Sequence, residues 1–254
     1  MKHLPNILTL ANLFSGCIAI TYILAAQNFT TAFDINTYVE VPAVEQPYIA
    51  SLFIFLAALF DMLDGAAARA LKIYSPIGKD LDSLADVVSF GVAPAMIMFK
   101  LLWGAYMAQP EALDASMLSM SPAFLIACFG ALRLARFNQT SLEQKNYFIG
   151  MPIPAVGIFI ATFPMILWHQ PLFRYFYNPW LLYGIIGLCS WLMVSNIRFF
   201  KWQPPQWTVK HITPRLILVF VTAAAIPFLG WAASFVAMGL YLLLSIVFKP
   251  QGEY

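Results

Sequence analysis

Charge is what this chain has least of. Only 10% of its 254 residues are Asp, Glu, Lys or Arg, 61% are hydrophobic, and the mean hydropathy is +0.75. A soluble domain of this length is not built with so few charges, so most of the chain belongs in lipid. The net charge of +2 excludes the basic field that a nucleic-acid partner requires. Cysteine is scarce too. Cys17, Cys128 and Cys189 are odd in number and each lies in an apolar run, which reads as small core residues rather than disulfides or metal ligands. His3, His169 and His211 form no ligand spacing. No nucleophile–base triad supports a covalent serine mechanism. Linkers and charge blocks are missing as well, so residues 1–254 are expected to form one domain.

Long apolar runs are abundant. They lie at roughly 7–26, 47–65, 82–107, 121–138, 150–168, 179–197, 214–231 and 233–248, and about 20 residues make a span. The pattern predicts an all-α integral membrane protein of about eight transmembrane helices. The last two runs, parted by Gly230-Trp231, form either two spans or a re-entrant pair, so seven and six remain alternatives. LFSGC faintly resembles a lipoprotein cleavage box, but the first run continues past Cys17 and is read as a retained helix. If the N-terminus is cytoplasmic, 12 of the 14 basic residues fall on the inner side, leaving only Lys100 and Arg174 outside. This asymmetry predicts a multi-pass protein of the cytoplasmic membrane with that orientation.

The stretch from Asp61 to Asp86, DMLDGAAARALKIYSPIGKDLDSLAD, carries the chemistry. Asp61 and Asp64 end one apolar run; Asp82 and Asp86 open the next. Both pairs have same-face helical spacing, so two helices joined by a short basic loop would bring four acids together at their facing ends. Carboxylates at a membrane helix end are costly unless paired, solvated or bound to metal. Too few cations lie nearby to neutralise them, and an all-oxygen ligand set suits Mg²⁺ or Mn²⁺. Two such ions about 4 Å apart would support phosphoryl chemistry. Gly65 and Gly78 leave room for close approach to the backbone. Ala68 allows tight packing, and Arg69 and Lys79 could meet phosphate or surplus carboxylates.

Two further groups share the predicted inner face. Asn6, Thr9 and Asn12 recur every three residues along the first helix, either for interhelical hydrogen bonds or facing the aspartate site. Arg133 and Arg136, with Asn138 beyond, lie in ALRLARFN. They either mark the helix end by snorkelling or bind a carboxylate or phosphate. Gly150, Pro152 and Pro154 break the entry to the following helix. RFFKWQPPQWTVKHITPR, with Trp202 and Trp207, reads as a basic loop in the headgroup region.

The frame Asp61-x2-Asp64-Gly65-x2-Ala68-Arg69-x8-Gly78-x3-Asp82-x3-Asp86 resembles the signature of the CDP-alcohol phosphatidyltransferase family at every specified position. The resemblance implies a six-helix core over roughly 5–200, with an extra helical hairpin at roughly 214–248. It implies that Asp61, Asp64 and Asp82 are metal ligands, and that Asp86 both faces the metals and acts as general base on the acceptor hydroxyl. Gly65 and Gly78 match positions that contact the cytidine nucleotide, with Ala68, Arg69, Asn6 and Thr9 around them. The implied reaction is attack by an alcohol on the lipid-side phosphorus of a CDP-lipid, releasing CMP, within a homodimer. PNILTLANLFSG, RLARFN and GMPIPA resemble the branch that joins CDP-diacylglycerol to L-serine, with Arg133 and Arg136 as candidates for the serine carboxylate or the lipid phosphate. Alternatives keep the chemistry with glycerol phosphate, inositol phosphate or an archaeal ether lipid. A cation transporter and a structural scaffold are readings of other classes.

Overall fold

The computed structural model describes residues 3–26, 29–34, 37–41, 45–72, 75–109, 116–140, 147–169, 178–201 and 209–248. Lys2, Lys145, Arg174 and Lys249, used above for orientation, and Trp202 and Trp207 of the basic loop lie outside the described residues.

Helix α1 (Leu4–Ala25) opens with Pro5 in its first turn, where a missing N–H is harmless. It packs along α2 (Glu45–Leu71). Between them, β1 (Phe29–Asp34) and β2 (Thr37–Val41) form an antiparallel hairpin. The apolar run of α2 was expected to end near residue 65. The helix instead continues six residues further, because Ala66, Ala67, Ala68 and Arg69 are strong helix formers that outweigh Gly65. It stops at Lys72, whose φ of 53° is left-handed. Helix α3 (Pro76–Asp86) restarts the chain at once. Ser75 caps it by accepting from the Gly78 N–H at 3.0 Å, with Pro76 in the first turn. Asp61, Asp64 and Asp82 therefore lie inside two helices rather than at their facing ends, a correction to the expected placement, and Asp86 closes α3.

A π-helical turn (Val87–Val92) joins α3 to α4 (Ala93–Met107), and the Ala93 N–H reaches back to the Val88 carbonyl. Pro94 offers a cause, since it has no N–H for the Phe90 carbonyl and its ring crowds that position. The widened turn is gripped on both sides. A Cβ on Gly16 of α1 would collide with Ser89, and one on Gly157 would come within 2.9 Å of Phe90 Cα.

Helix α5 (Met117–Met120) runs through a 3₁₀ turn (Ser121–Phe124) into α6 (Leu125–Thr140). Strand β3 (Tyr147–Ile149) lies just before the fifth expected run, and Gly150 at φ 75° turns the chain into α7 (Ile153–His169), which starts three residues later than the expected 150. Helix α8 (Pro179–Val194) ends three residues short of expectation. The chain then forms β4 (Arg198–Phe200), antiparallel to β3 with Phe148 opposite Phe199. Helices α9 (Val209–Leu229) and α10 (Ala233–Val247) are linked by a 3₁₀ turn at Gly230–Ala232. They fold back on each other, because Arg215 of α9 and Tyr241 of α10 bond to the adjacent residues Lys201 and Phe200.

Among the described residues, five helical runs are long and apolar enough to cross a membrane: Leu4–Ala25, Glu45–Leu71, Ile77–Met107, Met117–Thr140 and Ile212–Val247. Ile153–His169 and Pro179–Val194 are shorter and equally apolar. The core, with Phe90, Ile97, Met98, Ile153 and Phe163 fully buried, lies between the helices, while side chains such as Phe228 and Trp180 point outward. An apolar exterior is what a lipid solvent selects. It also corrects the reading of the cysteines: Cys189 is buried, but Cys17 and Cys128 lie on the outer surface.

Candidate active site

Helices α2 and α3 meet where Asp61, Asp64 and Asp82 converge, with one oxygen from each lying within 4.8 Å of the others. Asp86, one turn beyond Asp82, interacts electrostatically with Asp61 and Asp82 and is almost fully buried. Two carboxylates about 4 Å apart repel by ~4 kcal/mol at an effective dielectric of about 20. Side-chain hydrogen bonds alone do not offset that. Asp82 Oδ1 is buried with no hydrogen-bond partner, an oriented lone pair in want of a cation. This all-oxygen, part-buried cluster fits a divalent metal ion.

The polar stripe of α1 serves this cluster. Thr9 Oγ1 lies 2.7 Å from Asp64 Oδ2 and 3.0 Å from the Pro5 carbonyl. A hydroxyl has one proton, and the shorter, charge-assisted bond to the carboxylate claims it. Asn12 Nδ2 reaches toward Asp86 Oδ1 at 3.5 Å, a long contact. Ser89 Oγ donates to the Asn12 carbonyl at 3.0 Å, tying the π-helical turn to the same helix. The stripe therefore makes interhelical hydrogen bonds, and Thr9 and Asn12 direct them to the aspartates.

A pocket of about 500 Å³ opens beside the carboxylates, lined by Asn6, Thr9, Asp64, Gly65, Ala68, Gly78 and Asp82 together with Pro5, Ser75 and Lys79. Gly78 is crowded: a Cβ there would lie 2.9 Å from Ser75 Oγ and 3.3 Å from Asn6 Oδ1. Arg69 is exposed, and its guanidinium lies over Gly65 within electrostatic reach of Asp64. Lys79 Nζ donates to the Asn138 carbonyl at 2.9 Å and Asn138 Nδ2 donates to Ser83 Oγ at 2.8 Å, which docks α6 against α3.

The two arginines of α6 part company. Arg136 is exposed. Arg133 is buried, with its guanidinium carbon 5.3 Å from the ring centroids of both Phe137 and Phe148. It interacts electrostatically with Asp86, yet its Nε and Nη2 have no hydrogen-bond partner. Sequence reasoning missed Ser75, which reads only as a cap, and the β3–β4 ribbon that brings Phe148 and Lys201 to Arg133. Three-residue strands carry too short a pattern to find.

Fold and site together define a class: a multi-pass membrane protein with a carboxylate cluster that could hold a divalent metal beside a ligand-sized pocket. The CDP-alcohol phosphatidyltransferase family model matches residues 2–194, and the chain belongs to that family of phosphotransferases. Among its relatives is the CDP-diacylglycerol–serine O-phosphatidyltransferase of Helicobacter pylori (strain J99), 31% identical over 96% of this chain and 89% of the relative. The Bacillus subtilis (strain 168) protein of the same name is 34% identical over 78% of this chain and 90% of its own length. An archaetidylserine synthase from Methanothermobacter thermautotrophicus is 35% identical over 59% of this chain and 57% of its own.

Proposed function

We propose that this chain transfers the phosphatidyl group of CDP-diacylglycerol to the hydroxyl of L-serine, giving phosphatidylserine and CMP. The observation that carries the reading is the convergence of Asp61, Asp64 and Asp82 within 4.8 Å at the edge of the pocket, with Asp86 adjoining. The names of the relatives supply the acceptor.

Asp61, Asp64, Asp82 and Asp86 would hold two divalent cations, Mg²⁺ or Mn²⁺, which polarise the pyrophosphate and neutralise the departing phosphate. Asn6, Thr9, Gly65, Ala68 and Gly78 shape the pocket for the cytidine nucleotide, with Arg69 beside it. Asp86 takes the hydroxyl proton as the serine oxygen bonds to the lipid-side phosphorus. The bond from that phosphorus to the bridging oxygen breaks, and CMP leaves with the electron pair. As base, Asp86 would lie within hydrogen-bond reach of the acceptor hydroxyl, and its electrostatic interaction with Arg133 supports an acceptor bound near both. Arg133, with two unpaired donors, suits the serine carboxylate, and exposed Arg136 suits a lipid phosphate.

The functional unit is a single domain, with a core over roughly 5–200 and a C-terminal hairpin over roughly 214–248. It crosses the cytoplasmic membrane about eight times, N-terminus and active site inside, as a homodimer. The archaetidylserine synthase relative supports a second reading in which the lipid is ether-linked and the acceptor is still serine. The test is CMP release by purified protein in detergent with CDP-diacylglycerol and Mg²⁺ or Mn²⁺, offering L-serine, glycerol 3-phosphate or inositol separately. Release with serine alone is expected; release with another alcohol would keep the aspartate chemistry and discard the acceptor.

A further inference from the structure

Beyond residue 194, where the family match ends, the chain adds β4, Lys201 and the α9–α10 hairpin, and these residues converge on Arg133. Lys201 Nζ lies 4.7 Å from the centroid of Phe148, the ring that Arg133 also faces at 5.3 Å. Two cations thus share one aromatic side chain. Burial, and then the nearby guanidinium, hold the Lys201 ammonium below the usual lysine range. Arg133 is only 5% exposed and its Nε and Nη2 are unpaired. A buried guanidinium with unmet donors, within electrostatic range of a second cation, is costly in the free protein, and an anion bound there relieves that cost.

The end of β4 and the adjoining Lys201 are held by the C-terminal helices. Arg215 donates through Nε and Nη2 to the Lys201 carbonyl at 3.0 and 2.6 Å, and Tyr241 Oη donates to the Phe200 carbonyl at 3.0 Å. Arg215 also stacks on Phe200, 5.4 Å from its centroid. These bonds go to backbone atoms, so they fix the position of β4 and do not depend on which side chains it carries.

We propose that Lys201 joins Arg133 in binding the carboxylate of the amino-acid acceptor, and that Arg215 and Tyr241 are positioning residues that hold Lys201 there. The proposal rests on the serine reading above. A planar guanidinium offering two donors, next to a point-like ammonium, matches the two oxygens of a carboxylate. Asp86, in electrostatic contact with Arg133, lies where the hydroxyl of the same small molecule would deliver its proton. The hairpin would then select among alcohols while the core conducts a shared reaction.

The experiment measures CMP release by the full-length protein while L-serine, CDP-diacylglycerol and 2-amino-1,3-propanediol (serine with its carboxylate replaced by a hydroxymethyl) are varied in turn. K201M is expected to raise the KM for L-serine about tenfold or more, the loss of one charge-assisted hydrogen bond. Its preference for L-serine over the diol falls by the same factor, with the KM for CDP-diacylglycerol unmoved. Y241F, which keeps the ring, and R215K, which keeps one donor group, raise the serine KM by smaller factors. R215A raises it more than R215K. An unchanged serine KM in K201M, or a rise in the KM for CDP-diacylglycerol in its place, overturns the proposal; the second result would assign Lys201 to a lipid phosphate. Wild-type protein that turns over glycerol 3-phosphate or inositol but not serine overturns the acceptor reading, and this proposal with it.

Discussion

Thr9 contributes one hydroxyl proton, and the geometry spends it on Asp64 at 2.7 Å. That bond orients a carboxylate of the aspartate cluster from a different helix. Losing such an outer partner typically lowers metal affinity by about 10–100-fold. Thr9→Val should therefore raise the Mn²⁺ concentration giving half-maximal turnover by about tenfold, with recovery at saturating metal; an unchanged metal titration would separate Thr9 from the site. Asp86→Asn should abolish turnover, measured as single-turnover CMP release, while sparing CDP-lipid binding; full activity would remove Asp86 as base. At this scale the four aspartates were legible, because their spacing is a helical address and their chemistry is unusual in lipid. Arg133 was half legible. The apolar residues around it argued for burial, but nothing local distinguished it from Arg136, because the Phe148 ring over it arrives from a strand not visible in the pattern. Lys201 was read as part of a bland basic loop for the same reason.

The apolar runs were readable as helices, less so in extent, and the four short strands were not readable at all. Apolar runs mark where a helix meets lipid or core, not where its hydrogen bonds end, so α2 and α3 run past their apolar stretches and enclose the aspartates. The π-helical turn left no periodic signal. Its grip by neighbouring helices makes a direct prediction. Gly157→Ala sets a methyl 2.9 Å from Phe90 Cα and Cβ and 3.0 Å from its carbonyl oxygen, where backbone must move. Overpacking of this kind costs about 1–3 kcal/mol, so the Tm in detergent should fall. Gly184→Ala, with nothing within 4 Å of the new atom, should leave Tm nearly unchanged. Equal shifts in the two variants would mean that close approach at the turn is not what stabilises it.

For the whole molecule, composition alone placed the chain in lipid, and the helices agree. Chelation of divalent cations should stop turnover completely and reversibly; activity persisting in excess chelator would contradict a metal-dependent site. Orientation is testable at Asp80, exposed on α3 near the loop after α2. In a variant lacking the native cysteines, Asp80→Cys should react with a membrane-impermeant maleimide in inside-out vesicles and not in right-side-out ones. The opposite pattern would reverse the assigned topology.

Strands β3 and β4 pair, yet two complete helices, α7 and α8, separate them along the chain. During synthesis β3 emerges first and has no partner until both helices have left the ribosome. Arg215 and Tyr241, translated later still, then lock β4 in place. The aspartate cluster is complete from an early length of nascent chain, whereas the ribbon beside Arg133 is assembled near the end. A chain cut short after α8 would carry the whole aspartate cluster with the ribbon beside Arg133 missing.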